Sequence, residues 1–318
     1  MATAGKAASA RKAAAPSALI ISRENRWLKD FRLALRGGVA TTSGCVGVEG
    51  LHLVEEALHS DFMVEAVLAS VSGERHLERL ATLLDRADRS SLRILHTTDR
   101  LFAGIADTES PQGIAALVRV RTASFDDLAR PPSGSAPFLA VLAGVQDPGN
   151  VGTILRTAEA FGATGAATCA SGVSGSANPF SPKVMRASAG ATLRLPILHG
   201  VGLPVLLAQL RVSGIKTFAA VAHAVPAGSA APASSSHVLS PWEVDWQQPA
   251  AVLVGNEGSG LPGDLERSAD ACIRVPIAAG VESLNVAIAA ALIFYEASRQ
   301  RLPGAASVER GTATRGLP

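Results

Sequence analysis

Between Phe138 and Val275 the chain carries short, continuously apolar runs, each followed by a stretch with helical spacing. Runs such as FLAVLA (138–143), GAATC (165–169), TFAAV (217–221), AAVLV (250–254) and CIRV (272–275) read as buried strands. The intervening segments predict helices over Asn150–Phe161, Ser181–Ser188, Pro204–Ser213, Leu261–Arg267 and Leu284–Arg301, and Leu193–Leu198 reads as a strand at the sheet edge. Strands that alternate with helices predict an α/β fold with a mainly parallel sheet. Gly228–Ser236, rich in Ser, Ala and Pro, reads as a loop.

The first half reads as a smaller α/β unit. A helix is expected over Ile20–Arg36, with Ser22 as its N-cap and Trp27, Leu28, Phe31 and Leu35 as its apolar stripe. Helices over Gly50–Leu58 and Glu74–Ala87, and strands over Val64–Ala69, Leu92–His96 and Gly113–Val120, follow. Pro131, Pro132, Ser133, Gly134 and Ser135 mark a linker. The expected organisation is a basic, disordered tail (1–17), an N-terminal α/β domain (18–121), a linker (122–136), a larger α/β domain (137–301) and a C-terminal tail (302–318).

Charge narrows the partners. Lys plus Arg is 29 and Asp plus Glu is 27, a net charge of +2 that excludes a uniformly basic nucleic-acid coat. The larger domain holds ten basic and ten acidic residues, whereas Arg23, Arg26, Lys29, Arg32 and Arg36 cluster on the first helix. A solvated face and a polyanion contact both fit that cluster. Nine Phe, three Trp and one Tyr are too few for a stacking platform for single strands. Cys45, Cys169 and Cys272 give no disulfide or zinc spacing and fit a reducing, cytoplasmic setting. The run Leu284–Tyr295 is too short to span a bilayer.

In an open parallel sheet, ligands gather where strands end in loops. Three such loops are polar and glycine-rich. The first is Gln146–Gly152, running into a helix that carries Arg156; Asn150 is its expected cap. The second, Gly255–Leu261, follows AVLV. Its glycines have Walker A spacing, but Leu261 replaces the lysine, and the dinucleotide fingerprint G-x-G-x-x-G is absent. The third, Val275–Val286, places Ser283 and Asn285 at the start of the last helix. None of the seven histidines lies in these loops, no metal-binding pair such as H-E-x-x-H occurs and no metal site is expected. The inventory of Asn, Arg, Glu and Ser suits orientation of an alcohol and stabilisation of charge.

In this order and spacing the loops resemble the three motifs of the SpoU (TrmH-type) RNA 2′-O-ribose methyltransferases of the SPOUT superfamily. The motifs are NVGTILRTAEAFGA from Asn150, LVGNEGSGLP from Leu253 and VPIAAGVESLNVAIAAALIFYE from Val275. SPKVMRASAGA, from Ser181, resembles the family's segment between the first two. SRENRWLKDFRLALR and GVEGLHLVEEAL resemble its substrate-binding extension.

The resemblance implies a C-terminal trefoil-knot domain, an N-terminal RNA-substrate-binding domain and a homodimer joined through the knot. It implies S-adenosylmethionine as cofactor, held by Gly255, Val275, Ile277 and Leu284. It assigns catalysis to Arg156, with Asn150, Glu257, Ser283 and Asn285 orienting the ribose and the arginine. Arg23, Arg26, Lys29, Arg32, Lys183 and Arg186 become the implied RNA contacts. A guanidinium with pKa above ~12 is a poor base, so Arg156 is read as an electrostatic stabiliser, with proton loss assisted by RNA phosphate or water. The expected substrate is structured RNA, ribosomal rather than transfer RNA; a tRNA methyltransferase and a non-catalytic RNA-binding assembly factor are the alternatives. Asn178 stands where many relatives carry an acid.

Overall fold

The computed structural model describes residues 19–87, 92–132, 134–171, 174–222 and 238–302. The expected tail 1–17, the loop Gly228–Ser236 and the tail beyond Leu302 lie outside them.

The N-terminal unit runs β1 (Leu19–Ile20), α1 (Arg26–Leu35), β2 (Cys45–Glu49), α2 (Leu51–His59), β3 (Met63–Ser70), α3 (Glu74–Arg86), β4 (Arg93–Thr97), α4 (Asp99–Ala103) and β5 (Ile114–Arg119). The sheet order is β1-β4-β3-β5-β2, with β5 antiparallel to both neighbours and the β1, β4 and β3 pairings parallel. The expected first helix is shorter than its periodicity suggested. Leu19 and Ile20 pair with His96 and Thr97 as an edge strand, and Asn25, not Ser22, caps the helix by accepting from the Trp27 amide at 2.9 Å. Ser22 instead accepts from the Glu24 amide.

The larger unit follows α5 (Phe125–Ala129), a short helix inside the proline-rich connection whose Leu128 is buried. It comprises β6 (Phe138–Ala143), α6 (Pro148–Ala160), β7 (Gly165–Ser171), β8 (Ser174–Gly175), α7 (Pro182–Ala187), β9 (Ile197–Gly202), α8 (Leu203–Val212), β10 (Lys216–Ala220), β11 (Val238–Leu239), β12 (Ala250–Val254), α9 (Gly263–Ser268), β13 (Ala271–Ile273) and α10 (Val286–Arg301). The order is β11-β13-β10-β12-β6-β7, and β7 also pairs β8 and β9; only the β7–β8 pairing is antiparallel. The expected edge strand at Leu193–Leu198 begins later, because Ala191–Leu193 form a 3-10 turn.

Both faces of β6 and β12 are covered, which is why their sequences are apolar throughout. α6, α7 and α10 close one face and α8 the other. Arg301 fastens the end of α10. Its guanidinium lies 4.8 Å from the Phe138 ring centre and donates to the carbonyls of Trp246 (2.5 Å), Ala136 (2.8 Å), Gln248 (2.8 Å) and Pro137 (3.3 Å).

The two units share one hydrophobic core: Val54, Val67 and Val118 belong to the same buried cluster as Phe138, Val151 and Val184. Phe62 meets Phe180 edge-on at 6.4 Å. Arg194 pairs with Glu56 of the first unit and with Glu159 of α6, the latter at 2.5 Å.

The crossing of α6 over α7 depends on Gly152. A Cβ there would lie 2.4 Å from the Ala187 Cβ and 2.8 Å from the Val184 carbonyl oxygen. Gly152→Ala is therefore expected to lower stability by about 1–3 kcal/mol, the usual range for overpacking. Urea unfolding should show a lower midpoint at unchanged slope.

Candidate active site

Asp147, not Asn150, caps α6: its carboxylate accepts from the Asn150 amide at 2.8 Å. That frees the Asn150 side chain for the second and third loops. Its Nδ2 donates to Glu257 Oε1 at 3.1 Å, and its Oδ1 accepts from Asn285 Nδ2 at 3.1 Å. Asn285 in turn caps α10, its Oδ1 accepting from the amides of Ala287 (2.9 Å) and Ile288 (3.3 Å). The three loops are thus joined by one hydrogen-bond relay, Glu257–Asn150–Asn285.

Glu257 is held from several sides. The Gln146 and Asp147 amides donate to its two oxygens at 3.4 and 3.3 Å. Burial pushes its carboxyl upward, but the bonds from Asn150 and the backbone amides outweigh burial, and the net shift is downward. Glu257 is therefore ionised at neutral pH.

The second loop keeps its shape through Asn256. Its Oδ1 accepts from the Gly258 amide (2.9 Å), the Ser259 amide (3.0 Å) and the Ser259 hydroxyl (3.2 Å), while its Nδ2 donates to the Gly144 carbonyl at 3.0 Å. Gly255 is needed for close approach, since a Cβ there would sit 2.5 Å from the Gly260 carbonyl carbon. Beside this loop opens a cavity of about 470 Å³, and Gly255, Val275, Ile277 and Leu284 all line it. Glu257 and Ser283 reach its wall as well.

Arg156 stands apart from the relay. Six residues separate it from Asn150, which puts it about 9 Å along α6 and about 120° round it. It shares the side of Gly152, facing α7. It is exposed and makes no hydrogen bond or ion pair with the described residues. Lys183, on α7, is exposed too, whereas Arg186 bonds Asp107 of the first unit at 2.5 Å. On α1, Lys29 pairs with Glu24 at 2.6 Å and Arg26 approaches Asp30 at 3.8 Å. Arg23, Arg32 and Arg36 instead line a common notch.

Sequence reasoning missed Asp147, Asn256 and Glu266, the last a second carboxylate, beside Glu257, in the described lining of the cavity. Two of them carry local signals: Asp147-Pro148 is a cap-then-proline helix start, and Asn256 before Glu257-Gly258 is an Asx-turn pattern.

A mixed-sheet unit and a mainly parallel one, with a cavity walled by loops that carry the second and third motifs, define a methyltransferase-like α/β protein. Residues 137–295 match the SpoU rRNA Methylase family and residues 41–116 the MRM3-like substrate binding domain. The chain belongs to the SpoU rRNA methylase family, and it is a methyltransferase of that class. It is 34% identical to an uncharacterized tRNA/rRNA methyltransferase of Synechocystis sp., over 89% of this chain and 94% of the relative. It is 28% identical to the 23S rRNA (guanosine(2553)-2′-O)-methyltransferase RlmP of Bacillus subtilis, over 87% and 97%. A 23S rRNA (uridine(2479)-2′-O)-methyltransferase of Streptomyces viridochromogenes is 29% identical over 90% and 93%. The crystal structure of an AdoMet-bound rRNA methyltransferase from Sinorhizobium meliloti superposes with a TM-score of 0.73 at 27% identity, covering 90% of this chain and 99% of that one.

Replacing Asn150 by Asp would set a second carboxylate 3.1 Å from Glu257. Like charges at that distance raise the pair's folded-state pKa above its unfolded value, so the loss is fully present at neutral pH and shrinks as pH falls through the carboxylate range. Asn150→Asp should melt below wild type at pH 7.5, with the gap closing towards pH 4. A gap independent of pH would contradict the relay.

Proposed function

We propose that the chain transfers a methyl group from S-adenosylmethionine to a ribose 2′-hydroxyl of structured ribosomal RNA. The observation that carries this reading is the relay Glu257–Asn150–Asn285, which holds the three family loops together at the mouth of the cavity. The cavity suits the cofactor. Gly255 lets the Gly260–Leu261 backbone fold closely against it and so shapes the wall, Val275, Ile277 and Leu284 offer apolar surface, and the charged side chains in the described lining are acidic, as a cationic ligand requires.

When bound, the cofactor supplies an electrophilic methyl on positively charged sulfur. The chain's own residues must place and activate the hydroxyl. Asn285 is fixed by its cap to α10 and by Asn150, and Ser283, two residues earlier, is exposed at the cavity edge. These two orient the ribose. Arg156, unpaired and exposed, is free to meet the developing alkoxide or the neighbouring phosphate. The proton passes to RNA phosphate or water, since a guanidinium does not accept one at neutral pH. The characterised relatives modify a guanosine in one case and a uridine in another, which supports a site that grips the sugar.

Arg23, Arg32 and Arg36, together with Lys183, form the RNA-facing surface in this reading; Arg26, Lys29 and Arg186 are largely spent on neighbouring acids. The trefoil knot belongs to the same proposal. Its support is that β13 lies outside β10, beyond β12, while α10 returns to pack on α6. The homodimer is supported by an apolar stripe on α10: Ile288, Leu292 and Tyr295 are 51%, 43% and 55% exposed at helical spacing. No helix among the described residues is long and apolar enough to cross a membrane, and the three cysteines are buried free thiols, which supports a cytoplasmic setting.

Arg156→Ala should reduce methyl incorporation into ribosomal RNA by at least 100-fold, in the range for loss of a charge-stabilising donor, while cofactor affinity by calorimetry stays within about two-fold. Full turnover in this variant would remove Arg156 from the mechanism. Leu292→Glu should convert a dimer to a monomer by light scattering.

A further inference from the structure

Among the described residues lining the cavity, Glu257 and Glu266 are the only charged ones, and no described Lys, Arg or His joins them. The two acids are not equivalent. Glu257 already accepts from Gln146, Asp147 and Asn150 at 3.1–3.4 Å and from Asn256 Nδ2 at 3.5 Å. Its acceptor capacity is used up in holding the loops. Glu266, half-buried on α9, has one partner among the described residues, the Cys272 thiol, whose Sγ lies 3.8 Å from Oε1. A thiol is a weak donor, and burial with the nearby Glu266 pushes its own pKa up to about 11, so it stays protonated beside the carboxylate. Glu266 thus presents a partly buried carboxylate with most of its lone pairs unclaimed by the described residues, in a cavity whose described lining offers no cation to meet it.

S-adenosylmethionine carries two positive groups. The sulfonium has no hydrogen to donate, and its methyl must face the Asn150–Asn285 end of the site. The α-ammonium brings three donors and a compact charge. We propose that Glu266 is the specificity-determining residue for the amino-acid end of the cofactor, its carboxylate receiving the α-ammonium group. The inference rests on the cofactor reading above and adds a residue outside the four that line the cavity by motif position. It assigns a ligand class as well: molecules with a primary ammonium on the 5′ side chain of an adenosine.

Calorimetric titration of the full chain tests it with three probes. S-adenosylmethionine and S-adenosylhomocysteine both carry the α-ammonium; 5′-methylthioadenosine keeps adenine, ribose and sulfur but lacks the amino-acid end. Glu266→Gln preserves shape and removes the charge. It should weaken the first two by about ten-fold, equivalent to about 1.4 kcal/mol, and leave 5′-methylthioadenosine within two-fold of wild type. Retained binding of that third probe also reports that the cavity is intact. An equal loss for all three probes, a loss confined to S-adenosylmethionine, or no loss at all overturns the assignment of Glu266. Failure of the wild-type chain to bind S-adenosylmethionine overturns the cofactor reading itself.

Discussion

The Asn150 side chain is the joint on which the site turns. An amide can donate and accept at once, and here it donates to Glu257 and accepts from Asn285. An aspartate could not do both while ionised, and an aliphatic residue could do neither. The arrangement works because Asp147 takes over the capping of α6. It also works because Glu257 stays ionised under its ring of donors. The third loop has few backbone bonds of its own, so its position relies on Asn285, which serves α10 and the relay together.

Much of this was legible in the chain. The apolar runs placed most strands within a few residues, because a buried parallel sheet leaves little freedom in composition. The glycine and asparagine spacing of the three loops marked the site, and the four residues assigned to the cofactor by motif do line one cavity. What escaped was set by partners distant in sequence. Ile20 reads as the start of a helix from its neighbours but, with Leu19, pairs with β4, some 77 residues on. CVGVE gave no strand signal with a glycine at its centre, yet it lies fully buried beside β5. Arg186 looked like its exposed neighbours on α7 until Asp107 was found opposite it. Glu266 sits in no motif, and only the cavity wall reveals it.

The near-zero charge balance takes on a spatial meaning. Acids gather at the cavity, where the expected ligand is cationic, and around the relay. Exposed basic side chains such as Arg23 just before α1, Arg32 on it, Lys183 on α7 and Arg156 lie outside the cavity's described lining. Opposite preferences for cofactor and for RNA are thus met by one nearly neutral molecule. Pairing decides which of its cations remain available to phosphate: Arg194, for instance, is divided between Glu56 and Glu159 and serves the fold.

That strut, with Phe62 against Phe180 and the buried cluster common to both units, makes the N-terminal unit part of the same solid as the larger one. Such a joint works as a measuring gauge. The interval between the notch on α1 and Arg156 is set by packed side chains rather than by a hinge. An RNA held at that notch, as proposed above, would present whichever nucleotide lies one fixed span away. Altering the thickness of the packed layer, by changing Phe180 or Met185 for instance, would then change which nucleotide is reached while leaving every group at the cavity untouched.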